Sequence, residues 1–139
     1  FDGLILAHSN ESEWQAFRNN RNNEAFLDRI YIVKVPYCLR VSEEVKIYQK
    51  LLANSTLAEA PCAPGTLEMM ASFAVLSRLV EPENSSLESK LRIYDGENLK
   101  DTDPKAKTYQ EYRDFAGVNE GMNGLSTRFA YKVLSKVFN

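Results

Sequence analysis

The chain has 139 residues, 44% hydrophobic and 11% aromatic, enough to bury one real core within the usual single-domain range. A formal net charge of −2 gives no bulk attraction to phosphate backbones or anionic membranes, so neither nucleic acid nor a membrane surface is an implied partner. Two cysteines, Cys38 and Cys62, lie far apart without CxxC or histidine-rich context, which argues against a disulfide framework or a zinc site and for a reduced, cytoplasmic setting.

No apolar run approaches the roughly 18 residues that span a bilayer, and the first residues lack the basic lead-in of a signal peptide. The apolar start at Phe1, without a methionine, reads as a boundary inside a longer protein, just before a strand. Leu4-Ile5-Leu6-Ala7 has the continuous apolar pattern of a strand covered on both faces. Ser12 is placed to cap a short helix holding Trp14 and Phe17, and the asparagine-rich stretch from Asn19 to Asn23 interrupts it. A second short helix follows over about 24–29. The β-branched and aromatic run Ile30 to Val35, stopped by Pro36, predicts a second strand, and two strands separated by helix suggest a parallel pair.

From Ser42 the pattern turns helical. Ser42 as N-cap, Glu43 and Glu44 in the first turn, and Val45, Tyr48, Leu51 and Leu52 on one face predict an amphipathic helix. Residues 66–80 predict a helix apolar around most of its circumference, hence central. A short helix over about 85–91 precedes the Asp95-Gly96 turn. Pro104 suits the first turn of a helix reaching about Ala116, and a last helix capped by Ser126 aligns Phe129, Ala130, Val133, Leu134, Val137 and Phe138. The fold class read from these elements is mainly α with a small α/β part: two parallel strands plus helices in residues 1–36, then an all-helical bundle over 37–139.

Much catalytic machinery is excluded by inspection. No GxxxxGK[ST] phosphate loop occurs, and the kinase signatures HRD and DFG are absent. His8 stands alone, so a serine or cysteine nucleophile would have no second imidazole to draw on. The acidic residues Asp95, Glu97, Asp101 and Asp103 do not follow the EF-hand order, and no metal ligands are assigned. Three polar residues at element ends remain. Asn10 follows the first strand, where an amide can orient a water, touch a phosphate oxygen or cap the next helix. Arg29 ends a short helix, where it can complement the dipole and pair with Asp28 or Glu24. Arg128, in the first turn of the last helix, calls for an anion, either Asp114 or a phosphate.

The order of these features, strand-HisSerAsn, helix ending PheLeuAspArgIle, strand-ValPro, helical bundle, then GlyLeuSerThrArgPhe, resembles the latter part of a AAA+ ATPase module. The stretches around Asn22 to Val41, Glu81 to Leu87 and Tyr94 to Lys107 are similar, more closely, to the PrkA-type bacterial serine protein kinases, whose core is AAA+. That resemblance implies that Asn10 is sensor 1, Arg29 a trans-acting arginine finger, and Arg128 sensor 2 in a helical lid. It implies ATP and magnesium bound by the intact protein, with the upstream half of the module and further copies of the chain as partners. No tight nucleotide binding is expected of these 139 residues alone, because the phosphate loop and the acidic Walker B segment are not among them. The competing classes are a helical interaction or regulatory module without nucleotide chemistry, and a remodelling or proteolysis-linked ATPase as the whole protein's activity.

Overall fold

The computed structural model describes residues 2–138 and divides into two compact units, Phe1–Lys34 and Val35–Asn139. The first unit holds α1 (Glu11–Asn19), a 3-10 turn (Arg21–Asn23) and α2 (Glu24–Leu27). Asn10, not Ser12, caps α1: Asn10 Oδ1 accepts the Glu13 amide at 2.8 Å, and the Ser12 hydroxyl also donates to it. Asn10 lies three residues before that amide, the spacing a cap needs, whereas Ser12 already lies inside the first turn.

The two parallel strands expected at Leu4–Ala7 and Ile30–Val35 are not formed. Both segments carry no strand assignment, and no ladder hydrogen bond joins them among the described residues. Strands covered on both faces need neighbours and a core, and an isolated two-stranded pairing is marginal. None of residues 2–34 is buried, so the apolar side chains Leu4, Ile5 and Leu6 stay about 86% exposed. The β-propensity is present, but nothing in this unit covers it.

The second unit is built from α3 (Val41–Ala53), α4 (Thr66–Leu76), α5 (Leu87–Tyr94), α6 (Tyr109–Ala116), a 3-10 turn (Gly117–Asn119) and α7 (Thr127–Phe138). α4 packs on α3, α5 and α7, and α5 packs on α6. One apolar cluster joins Val75, Leu79, Leu91, Tyr94 and Tyr112; a second joins Val45, Tyr48, Ala71 and Ala130. α4 is shorter than the pattern predicts and not wholly enclosed. Ser77 turns its hydroxyl back onto the Ala74 carbonyl at 2.7 Å where the helix ends, and Met69 and Phe73 face solvent.

Three helix starts differ from expectation. α3 begins at Val41 without a side-chain cap, and Ser42 instead uses both its amide and hydroxyl on Asp95 Oδ1, at 2.9 and 2.8 Å. α5 starts after Ser86, which accepts the Ser89 amide. α6 begins at Tyr109 rather than at Pro104, because Thr108 and Glu111 form a reciprocal capping box that fixes the start five residues later. Ser126 caps α7 as its position implies, accepting the Phe129 amide at 3.1 Å. The apolar stripe of α7 divides: Ala130 and Leu134 are buried, while Phe129, Val133 and Val137 are exposed.

Candidate functional site

Of the three candidate residues, Asn10 and Arg29 belong to the first unit and Arg128 to the second. The Asn10 cap uses its oxygen, and its side-chain amide donates no hydrogen bond among the described residues. Arg29 follows α2 in a turn closed by its own amide on the Phe26 carbonyl at 3.0 Å. Its guanidinium is exposed and has no ion-pair partner among the described residues, so the pairing with Asp28 or Glu24 is not made. Arg128 is the second residue of α7 and is likewise exposed, with no carboxylate partner among the described residues. Asp114 accepts from Gln110 instead, at 2.8 Å. A guanidinium in the first turn sits beside free helix N–H groups that favour anions, which leaves it placed to share an anion rather than to neutralise a side chain.

The start of α7 that carries Arg128 is tied to a buried polar network. Arg78, just past α4, and Glu44, in α3, are both fully buried side chains. They meet as a two-point pair, Nη2 to Oε1 at 2.8 Å and Nη1 to Oε2 at 3.0 Å. Arg78 also donates from Nη1 to the Cys38 carbonyl (2.8 Å) and from Nε to the Leu125 carbonyl (2.7 Å), and it lies 5.3 Å from the Tyr37 ring centroid. Glu44 accepts further bonds from Tyr48 O–H (2.8 Å) and Thr127 Oγ1 (3.2 Å). Burial pushes the Glu44 carboxyl up, but the bonds from Arg78, Tyr48 and Thr127 and the guanidinium charge together hold it below the ordinary carboxylate range. Burial and the Glu44 carboxylate push the Tyr48 phenol up, so it stays a donor.

A second pair lies on the other side of the Arg78–Val80 turn. Lys90 Nζ sits 2.6 Å from Glu120 Oε2 and donates to the Val80 carbonyl at 2.7 Å, with the Tyr94 and Tyr112 rings at 5.4 and 6.0 Å. Glu120 also accepts the Val80 amide and the Tyr94 hydroxyl. Each buried cation thus has a carboxylate, and among the described residues no buried side-chain nitrogen or oxygen lacks a partner. Desolvation offsets much of the attraction within such pairs, whereas removing one partner leaves the other charge buried and uncompensated.

Sequence reasoning missed both pairs, although a signal was present. Arg78 interrupts the mostly apolar run from Phe73 to Val80, and Lys90 stands beside Leu91 in the short amphipathic helix α5. A cation within a core-facing stretch is rarely buried without a carboxylate to meet it. Which carboxylate serves, 34 residues before Arg78 or 30 after Lys90, was not readable without the fold.

Residues 1–86 match the family model of the PrkA AAA domain, and residues 89–139 match that of the PrkA serine protein kinase C-terminal domain. The "Serine/threonine kinase YeaG" of Escherichia coli K12 is 77% identical over the whole chain, which spans 22% of that protein. The "ATP-dependent protease PrkA" of Bacillus subtilis 168 is 40% identical over 96% of the chain, which covers 21% of it. No solved structure matches. The chain accordingly spans about a fifth of the length of these relatives, and it belongs to the PrkA family, joining part of its AAA domain to part of its C-terminal domain.

Proposed function

We propose that these residues form the nucleotide-responsive part of an ATP-dependent PrkA-type enzyme, in which Arg128 contacts a phosphate of ATP. The observation that carries this reading is an exposed guanidinium in the first turn of α7, without a carboxylate among the described residues, on a helix whose start is anchored in a buried network. Its chemistry suits a polyphosphate: a planar donor fork with a fixed positive charge. Asn10, with its oxygen committed to the α1 cap, keeps an amide donor for a phosphate oxygen or a water, the role of sensor 1. Arg29, also without an ion-pair partner, serves as an arginine finger toward the nucleotide of a neighbouring copy, which requires the protein to oligomerise. When bound, ATP and magnesium supply the transferable phosphoryl group and the metal charge that offsets its negative oxygens. Holding them belongs to residues outside this chain, which has no phosphate loop.

The relatives' names divide between a serine/threonine kinase and an ATP-dependent protease. A positioned cation beside the phosphates serves either outcome, because phosphoryl transfer to a protein and hydrolysis that drives remodelling both require stabilised phosphate charge. A second reading, a helical interaction module, draws on the exposed Phe129, Val133 and Val137 of α7. The two part in one experiment: titration of fluorescent ATP with magnesium into the full-length protein and its Arg128→Ala variant. The nucleotide reading expects affinity to fall by roughly tenfold or more, the worth of one or two charged hydrogen bonds. Unchanged affinity and unchanged ATP turnover would favour the interaction module.

A further inference from the structure

Nothing at the tip of Arg128 holds its guanidinium among the described residues, so its direction has to come from the backbone that bears it. That backbone is held at several points. The Leu125 amide donates to Ser77 Oγ at 2.9 Å, and the Leu125 carbonyl accepts from Arg78 Nε at 2.7 Å. Thr127 Oγ1 donates to Glu44 Oε2 at 3.2 Å. Gly124, at φ +102°, passes so close to the end of α4 that an added Cβ would lie 2.4 Å from the Ser77 carbonyl oxygen. Every anchor lies in α3 or at the end of α4, within the part matching the AAA domain. Every held residue lies in the part matching the C-terminal domain.

We propose that Glu44, Ser77 and Arg78 are positioning residues for Arg128, fixing the rotation and axial setting of α7 so that its second residue points at the nucleotide. The inference rests on the nucleotide contact of Arg128 argued above. Its physical basis is helical geometry: each residue turns by about 100°, so a slip in the first residue of α7 swings the second away from its target. Thr127 is that first residue, and its hydroxyl is gripped by a carboxylate that Arg78 itself holds in place. A misplacement of about 1 Å at a reacting group can cost on the order of a hundredfold in rate.

The test uses the full-length protein, read by magnesium-ATP affinity and by turnover, with thermal melting to verify folding. Thr127→Val keeps the shape and removes the hydroxyl; Thr127→Ser keeps the hydroxyl. The expected result is affinity weakened about 3- to 10-fold in Thr127→Val, the range of one lost hydrogen bond, and restored to within about twofold in Thr127→Ser. In an Arg128→Ala background, Thr127→Val adds no further loss, because what it positions is gone. Ser77→Ala, which removes the acceptor of the Leu125 amide, is expected to follow the same pattern by an independent route. If Arg128→Ala weakens binding but Thr127→Val and Ser77→Ala either have no effect or add fully to it, the positioning role is overturned while the nucleotide contact stands. If Arg128→Ala itself changes neither affinity nor turnover, the nucleotide contact fails and this inference falls with it.

Discussion

Replacing Arg78 by methionine tests whether the buried pair organises the helical unit. The substitution removes four hydrogen bonds: two to Glu44 and one each to the Cys38 and Leu125 carbonyls. It keeps an apolar stem of similar length, so the loss reports the charge and its bonds rather than a void. Removing one partner of a buried pair costs about 3–5 kcal/mol, because the other charge is left uncompensated. With a urea slope of about 1.5 kcal/mol per molar for a domain of this size, the midpoint should fall by about 2–3 M. The pH dependence gives a sharper sign. In the native protein the Glu44 carboxyl is held low, so its contribution is present above the ordinary glutamate range, near 4.3, and is lost as pH falls through the depressed value. Without the guanidinium, its hydrogen bonds and charge no longer lower the carboxyl while burial still raises it, so the group moves up from its native position. That upward move removes stability at neutral pH and matters less as pH falls toward the native value. The Arg78→Met penalty should therefore be large at pH 7 and shrink toward pH 4. Equilibrium urea unfolding at several pH values measures it, and a penalty below about 1 kcal/mol, or one that grows on acidification, would refute the reasoning.

Lys90→Met leaves Glu120 buried against the Val80 amide and Tyr94 hydroxyl without its cation, and the same accounting predicts a loss of about 3–5 kcal/mol in urea unfolding. Gly124→Ala forces a Cβ against the Ser77 carbonyl at a positive φ, so about 2 kcal/mol or more should be lost, lowering the melting temperature by roughly 10 °C in calorimetry. Arg29→Ala in the full-length protein should leave ATP affinity within about twofold and reduce turnover by a factor of 10³ or more if the side chain acts on a neighbour's nucleotide. Unchanged ATP hydrolysis would remove that role.

The helical half was legible because its elements carry their own signals: amphipathic stripes for α3 and α7, and Ser126 at the start of α7. The boundaries were less so, since capping is decided by one hydrogen bond. Thr108 outcompeted Pro104 because it could close a box with Glu111, and Ser42 was drawn from the expected cap of α3 to Asp95, 53 residues away. The strands failed for a different reason. Leu4 to Ala7 and Ile30 to Val35 have strand composition, but a strand exists only through its neighbours, and propensity cannot supply them. Asn10, Arg29 and Arg128 could be singled out as polar residues at element ends. Glu44, Arg78, Lys90 and Glu120 could not be paired, because each pairing spans at least 30 residues and is created by the packing itself.

The division of the sequence into two families does not coincide with the division of the structure. The family models meet between Ser86 and Ser89, at the cap of α5, yet buried bonds cross that point repeatedly. Glu44 holds Thr127, Arg78 holds Leu125, the Val80 amide and carbonyl are taken by Glu120 and Lys90, and Arg40 Nε donates to the Tyr94 carbonyl. Separating the two parts would leave Arg78 without the Leu125 carbonyl, Glu44 without the Thr127 hydroxyl, and Lys90 and Glu120 cut off from the turn that they satisfy. Buried polar groups of this kind cost more unpaired than they contribute when paired, so both pieces would lose stability and the helical unit resists being cut there. Ser77, Arg78 and Glu44 in one segment hold Leu125 and Thr127 in the other, so the end of α4 and the start of α7 are bonded directly across that junction.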